Sequence, residues 1–211
     1  MDIMKTIKEC GIVPVVVLQD AKDAVPAAHA LLKGGINVME ITFRTDAAKE
    51  AIENVAKNVP EMLVGAGTVI TSEQMHNADE AGAQFFVSPG LDLSLVDLAK
   101  ELNKPILPGI ITPSEIMAGL SKGISTFKFF PSGTFGGLKT ISALSGPFPQ
   151  ISFLPTGGIN AENAEEYFCN TKIIAIGGSW MITDGMIKDG NYEEISARST
   201  EVREIFKKVR Q

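Results

Sequence analysis

The chain has 211 residues, a formal net charge of −6 and two cysteines. That length suits one domain with a sizeable core, and α/β barrels of about 200–250 residues can fold as a single unit. The acidic balance argues against broad binding of nucleic acid or an anionic membrane, but not against a small anion held in a local pocket.

The first residues, MDIMKTIKEC, lack the apolar core of a secretion signal. They read as a short amphipathic helix with Ile3, Met4, Ile7 and Cys10 on one side, suited to plug the bottom of a barrel. No apolar run is long enough for a membrane span. Cys10 and Cys169 form neither a CxxC pair nor a Cys/His cluster. A disulfide framework and a zinc ribbon are thereby excluded, and a cytoplasmic protein is expected.

Short runs rich in Val, Ile and Phe then begin at Ile12, Val38, Leu63, Gln84, Pro105, Thr126, Ser152 and Ile173. Charged, helix-period segments such as DAAKEAIENVAKNV fill the gaps, and YEEISARSTEVREIFKKV closes the chain as an amphipathic helix. Strand runs alternating with helices indicate parallel βα units, and eight of them indicate a (β/α)8 TIM barrel. We expect a single domain over residues 1–211. A doubly wound sheet is the rival, but GAGTVI lacks the G-x-G-x-x-G spacing and follows the third run, not the first.

Barrel chemistry sits at the C-terminal ends of the strands. On the second run Glu40, Thr42 and Arg44 lie two apart and share a face, while Met39, Ile41 and Phe43 point toward the helices. A site is one reading of this trio; an internal Glu40–Arg44 ion pair that only fixes packing is the other. In the sixth run, TFKFFP, Phe127 and Phe129 face one way and Lys128 and Phe130 the other; if the first pair meets the helices, Lys128 faces the interior. Lysines are seldom buried without a partner, and this one either snorkels to water or acts as a nucleophile. Burial disfavours the ammonium, and a neutral amine can attack a ketone to form a Schiff base. Glu40 could then move protons as general acid and base.

Thr68 in GAGT and Pro89 in SPG end the third and fourth runs at the same mouth. Glycine turns follow the seventh and eighth runs, PTGGI and IGGSW. Loops in those positions commonly bind phosphate in this fold, helped by helix N-termini. His29 and His76 fall within helical segments and make no metal triad. Ser88 and Ser179 lack partners for a Ser-His-Asp triad. Cys169 reads as a packing residue, and Trp180 as a cover for the barrel rim.

The ordered set VMEITFRT, GAGTV, SPG, FKFFP, PTGGI and GGSW resembles the 2-keto-3-deoxy-6-phosphogluconate (KDPG) aldolase / 4-hydroxy-2-oxoglutarate (KHG) aldolase family. The resemblance spans nearly the whole chain. It implies a homotrimer and a class I, metal-free lyase without a cofactor, acting on a small 2-keto acid phosphate. It also implies Lys128 as the Schiff-base lysine and Glu40 as the proton shuttle. Arg44 would hold the pyruvyl carboxylate with help from Thr68. Pro89 and Phe130 would shape the pocket, and Thr156, Gly157, Gly158 and Ser179 would contact substrate and phosphate. The chain departs from the pattern at Ser132-Gly133, where many bacterial members have Ala-Glu, so preference among KDPG, its galactonate epimer and KHG is left open. Three other readings remain at this point: a sugar-phosphate epimerase or isomerase barrel, a catalytically silent binding barrel, and a metal-dependent aldolase.

Overall fold

Each apolar run of the sequence becomes a strand in the computed structural model, which describes residues 2–210. The strands are β1 (Ile12–Val16), β2 (Val38–Thr42), β3 (Leu63–Gly67), β4 (Phe86–Ser88), β5 (Ile106–Ile110), β6 (Thr126–Phe129), β7 (Ser152–Pro155) and β8 (Ile176–Gly178). They form one parallel sheet in which β1 to β7 pair in sequence and β8 lies against β1. Between β7 and β8 the contact runs through the bridges Phe153–Ile173 and Thr156–Gly177. The result is a nearly closed (β/α)8 TIM barrel. Strands covered on both faces need no polar alternation, which is why β1 and β5 are buried along their whole length.

The helices are α1 (Ile3–Cys10), α2 (Ala24–Lys33), α3 (Ala48–Asn58), α4 (Ser72–Glu80), α5 (Leu93–Glu101), α6 (Pro113–Ser121), α7 (Gly137–Ser145), α8 (Ala164–Cys169), α9 (Asp184–Lys188) and α10 (Tyr192–Arg210). Several start where a side chain satisfies an otherwise unpaired backbone N–H, as Asp2, Thr71 and Asp92 do. Thr112 and Glu115 cap α6 reciprocally, with Pro113 in its first turn.

The amphipathic reading of the first residues holds. Ile7 and Cys10 of α1 are buried, and Ile3 and Met4 pack at the core's edge. α1 ends at Gly11, whose φ of 73° is left-handed. A side chain there would run into the ring of Phe206 on α10, so the first and last helices meet at this point. α10 packs along α2 and α8.

The outer layer fixes the direction of β6. Phe127 fits where Gly119 of α6 leaves out a side chain, and Phe129 meets Phe153 edge-on at 6.3 Å between ring centres. Each fully buried ring contributes about 1.5–3 kcal/mol. Strand alternation then forces Lys128 to the opposite face, toward the barrel interior.

Candidate active site

Glu40 on β2 and Lys128 on β6 converge inside the barrel. Lys128 Nζ donates to Glu40 Oε1 at 3.3 Å, and the two side chains are 4 % and 0 % exposed. Among the described residues the second carboxylate oxygen of Glu40 has no hydrogen-bond partner. A buried ion pair usually recovers no more than the cost of desolvating its charges, so this one is poor value as a stability device. A buried carboxylate oxygen left without a partner marks a site of strain or function.

Glycine makes the convergence possible. A methyl group at Gly67, on the strand next to β2, would overlap the Glu40 carboxylate. Likewise a methyl at Gly177 would overlap the Thr156 hydroxyl, which is buried and has no hydrogen-bond partner among the described residues. Lys128 lies between Gly109 and Leu154 in register. Its Nζ stands 5.2 Å from the centre of the Phe130 ring, a cation–π distance. The Phe130–Pro131 peptide bond that follows is cis.

Phe130 joins this buried pair to a cavity of about 280 Å³ at the barrel mouth. Arg44, Thr156, Gly157, Gly158 and Ser179 line it, together with Val15, Val17, Ile159 and Gly178. Gly157 and Gly158 adopt φ values of 96° and 77°, a backbone open to glycine but strained for other residues. Glu40, Lys128, Thr68 and Pro89 do not line this cavity. A hollow of about 580 Å³ on the outer side of the rim also borders Arg44, and Asp46, Lys49, Glu73 and Asn77 form part of its wall.

Several expectations change. Arg44 does not continue the face of Glu40 and Thr42, because β2 ends at Thr42 and Arg44 sits exposed in the following turn. It does not pair with Glu40; its Nε donates to Thr68 Oγ1 at 3.3 Å. Thr68 is held at a φ of 55°, rare for a residue other than glycine. Thr42 donates to the Val16 carbonyl at 3.2 Å and so ties β2 to β1. The helices after the two glycine turns are short and start only at Ala164 and Asp184, so the turns themselves, not helix ends, face the cavity. Cys169 is exposed, contrary to its packing assignment, while Cys10 is the buried thiol, its pKa pushed up by burial.

His29 and His76 are exposed on α2 and α4. Ser88 donates to the Gly90 carbonyl at 2.7 Å, and Trp180 packs over Gly178. Among the described residues no group of three or more His, Cys, Asp or Glu could hold a metal ion, and no helix is long and apolar enough to cross a membrane.

Sequence reasoning missed Val15, Val17 and Ile159 as cavity walls, since apolar residues at strand ends look like core. It also missed Ser132 and Tyr167 as partners, 35 positions apart and joined only by the fold.

Comparison with known proteins agrees with this geometry. The KHG/KDPG aldolase of Escherichia coli (strain K12) is 45% identical over 193 residues, 92% of this chain and 91% of that one. A crystal structure of KDPG aldolase from Legionella pneumophila, with pyruvate captured as a covalent carbinolamine intermediate, superposes with a TM-score of 0.92 at 40% identity. It covers 96% of this chain and 98% of its own. The Zymomonas mobilis ZM4 enzyme, solved with 3-phosphoglycerate, gives 0.88 at 40% identity over 96% and 95% of the two chains. The family model described as KDPG and KHG aldolase matches residues 3–198, and the chain belongs to that family.

Proposed function

We propose that this chain, as one aldolase domain, reversibly cleaves KDPG to pyruvate and D-glyceraldehyde 3-phosphate through a Schiff base on Lys128. The observation that carries this reading is the buried Lys128–Glu40 contact at 3.3 Å, with one Glu40 oxygen left free. An amine pressed against an aromatic ring beneath a mouth-facing cavity is placed to meet a ketone, and the free carboxylate oxygen is placed to receive a proton.

In the sequence of steps, Lys128 passes a proton to Glu40 and its amine then adds to the C2 ketone to give a carbinolamine. Proton transfers through Glu40 expel water and leave a protonated imine. Glu40 takes the C4 hydroxyl proton as the C3–C4 bond breaks, and the bonding electrons pass into the imine as an enamine. The aldehyde leaves, C3 takes a proton, and water releases pyruvate from Lys128. Arg44 provides a forked, permanently charged donor for the substrate carboxylate, oriented by Thr68, while Pro89 and Phe130 bound the pocket. Thr156, Gly157, Gly158 and Ser179 receive the phosphate and so align the bond to be broken. KHG, which carries no phosphate, is a secondary substrate on this reading. The two free cysteines suit a cytoplasmic enzyme, and a homotrimer is proposed as the assembly that the motif resemblance implies.

Reduction with borohydride in the presence of pyruvate tests the central step. A stable adduct on Lys128 is expected, located by peptide mass mapping. An unmodified Lys128 would overturn the Schiff-base assignment. Pyruvate release from KDPG, its galactonate epimer and KHG then ranks the substrates, with Lys128→Met as the inactive control, and EDTA is expected to leave the rates unchanged.

A further inference from the structure

The β7 turn of the site proposed for phosphate leans on the loop after β6, and a buried pair of hydroxyls ties that loop to α8. Ser132, just past β6, is 0 % exposed. Its Oγ lies 3.2 Å from the hydroxyl of Tyr167, a buried residue of α8. The Ser132 backbone N–H donates to the Thr156 carbonyl at 2.8 Å, and that of Gly133 donates to Gly157 at 2.9 Å. The Ser132 carbonyl in turn accepts from Gly137 at 2.9 Å. Gly137 leaves room for the Tyr167 hydroxyl, since a Cβ there would stand 2.7 Å from it.

α8 grips the same turn from its other side. Asn163, immediately before α8, donates its side-chain amide to the Gly158 carbonyl at 3.0 Å. The contacts form a closed ring. It runs from Thr156 and Gly157 to Ser132 and Gly133, across the hydroxyl pair to Tyr167, along α8 to Asn163, and back to Gly158. Phe130, Thr156, Gly157 and Gly158 line the cavity, so the ring sets the distance between its two walls.

We propose that the Ser132–Tyr167 pair is a positioning clamp that holds the β6 and β7 loops at the spacing needed by the phosphorylated end of the substrate. Neither hydroxyl touches the reacting atoms. Each would lose its side-chain partner if the other were removed, because both are buried and, among the described residues, no other side-chain hydrogen bond satisfies them. The proposal rests on the aldolase reading and adds to it the residues that set its preference for a phosphorylated aldehyde over an unphosphorylated one.

The condensation direction separates the two ends of the site, since pyruvate reports on Lys128 and glyceraldehyde 3-phosphate on the phosphate turn. In Tyr167→Phe and Ser132→Ala, the KM for glyceraldehyde 3-phosphate is expected to rise about three- to tenfold, the effect of losing one buried hydrogen bond. The KM for pyruvate and borohydride trapping of pyruvate should match the unsubstituted chain. Tyr167→Phe keeps the ring and its packing, so it guards against a variant that fails to fold, with thermal unfolding as the check. Equal changes in both KM values, or no change in either, would overturn the clamp. If the unsubstituted chain traps no pyruvate, the aldolase reading falls and the clamp falls with it. Normal trapping with indifferent variants removes the clamp alone.

Discussion

At the scale of single residues, the site depends as much on what glycine omits as on what Lys128 and Glu40 supply. Gly67 has no side chain, and the Glu40 carboxylate occupies that space. Gly67→Ala is therefore expected to displace Glu40 and lower kcat by about a hundredfold, the scale of loss when a catalytic group moves by an ångström. Steady-state turnover checks it, and an unchanged kcat would show that Glu40 reaches its position by another route. The buried pair makes a second prediction. Lys128→Met leaves Glu40 without its cation and should cost about 3–5 kcal/mol in urea unfolding, with the folded spectrum retained at room temperature. Adding Glu40→Gln should recover most of that loss, because two neutral groups carry no uncompensated charge. The Gly67 effect was not legible as such. GAGT marked a tight place, but a one-dimensional sequence does not say which side chain fills it.

Among the elements, α6 shows most plainly how local sequence sets local structure. Glu115 is pushed up by burial, yet hydrogen bonds from the Ile111 and Thr112 backbone N–H groups and the Thr112 hydroxyl outweigh this and hold its carboxyl below the usual carboxylate range. A carboxylate whose folded pKa is depressed stabilises the fold above its unfolded value, and that stabilisation is lost as pH falls through the folded value. Glu115→Ala is thus expected to cost about 0.5–1 kcal/mol near neutrality, allowing for solvent screening at this half-buried cap. In acid, below the folded value, the gap between variant and parent should close. Urea titrations at the two pH values measure it. The strands were just as readable, since every apolar run became one. Their ends were less so. The run that opens at Ile173 contributes an isolated bridge before β8 begins at Ile176, and the turn after β2 carries Arg44 off the strand. Periodicity reports which way neighbouring side chains alternate. Where pairing stops depends on the neighbouring strand.

For the whole molecule, closing the barrel is what brings Glu40 to Lys128, 88 positions away. Outside the barrel, Ile70 and Met117 remain 56 % and 62 % exposed, large apolar side chains that a single chain leaves in water. That agrees with the homotrimer inferred above, and light scattering on the purified chain is expected to give the mass of three copies. A monomer at micromolar concentration would overturn that inference.

By itself the sequence determined the eight βα units, the inward direction of Lys128 and Glu40, and the family, because alternation and motif order are local properties carried along one chain. Tertiary structure alone decided that Glu40 meets Lys128 and not Arg44, that Arg44 leans on Thr68, and that Ser132 finds Tyr167. Those contacts join residues from different strands and helices. They are fixed by the register in which the barrel closes and by where glycine leaves room, which no stretch of sequence contains.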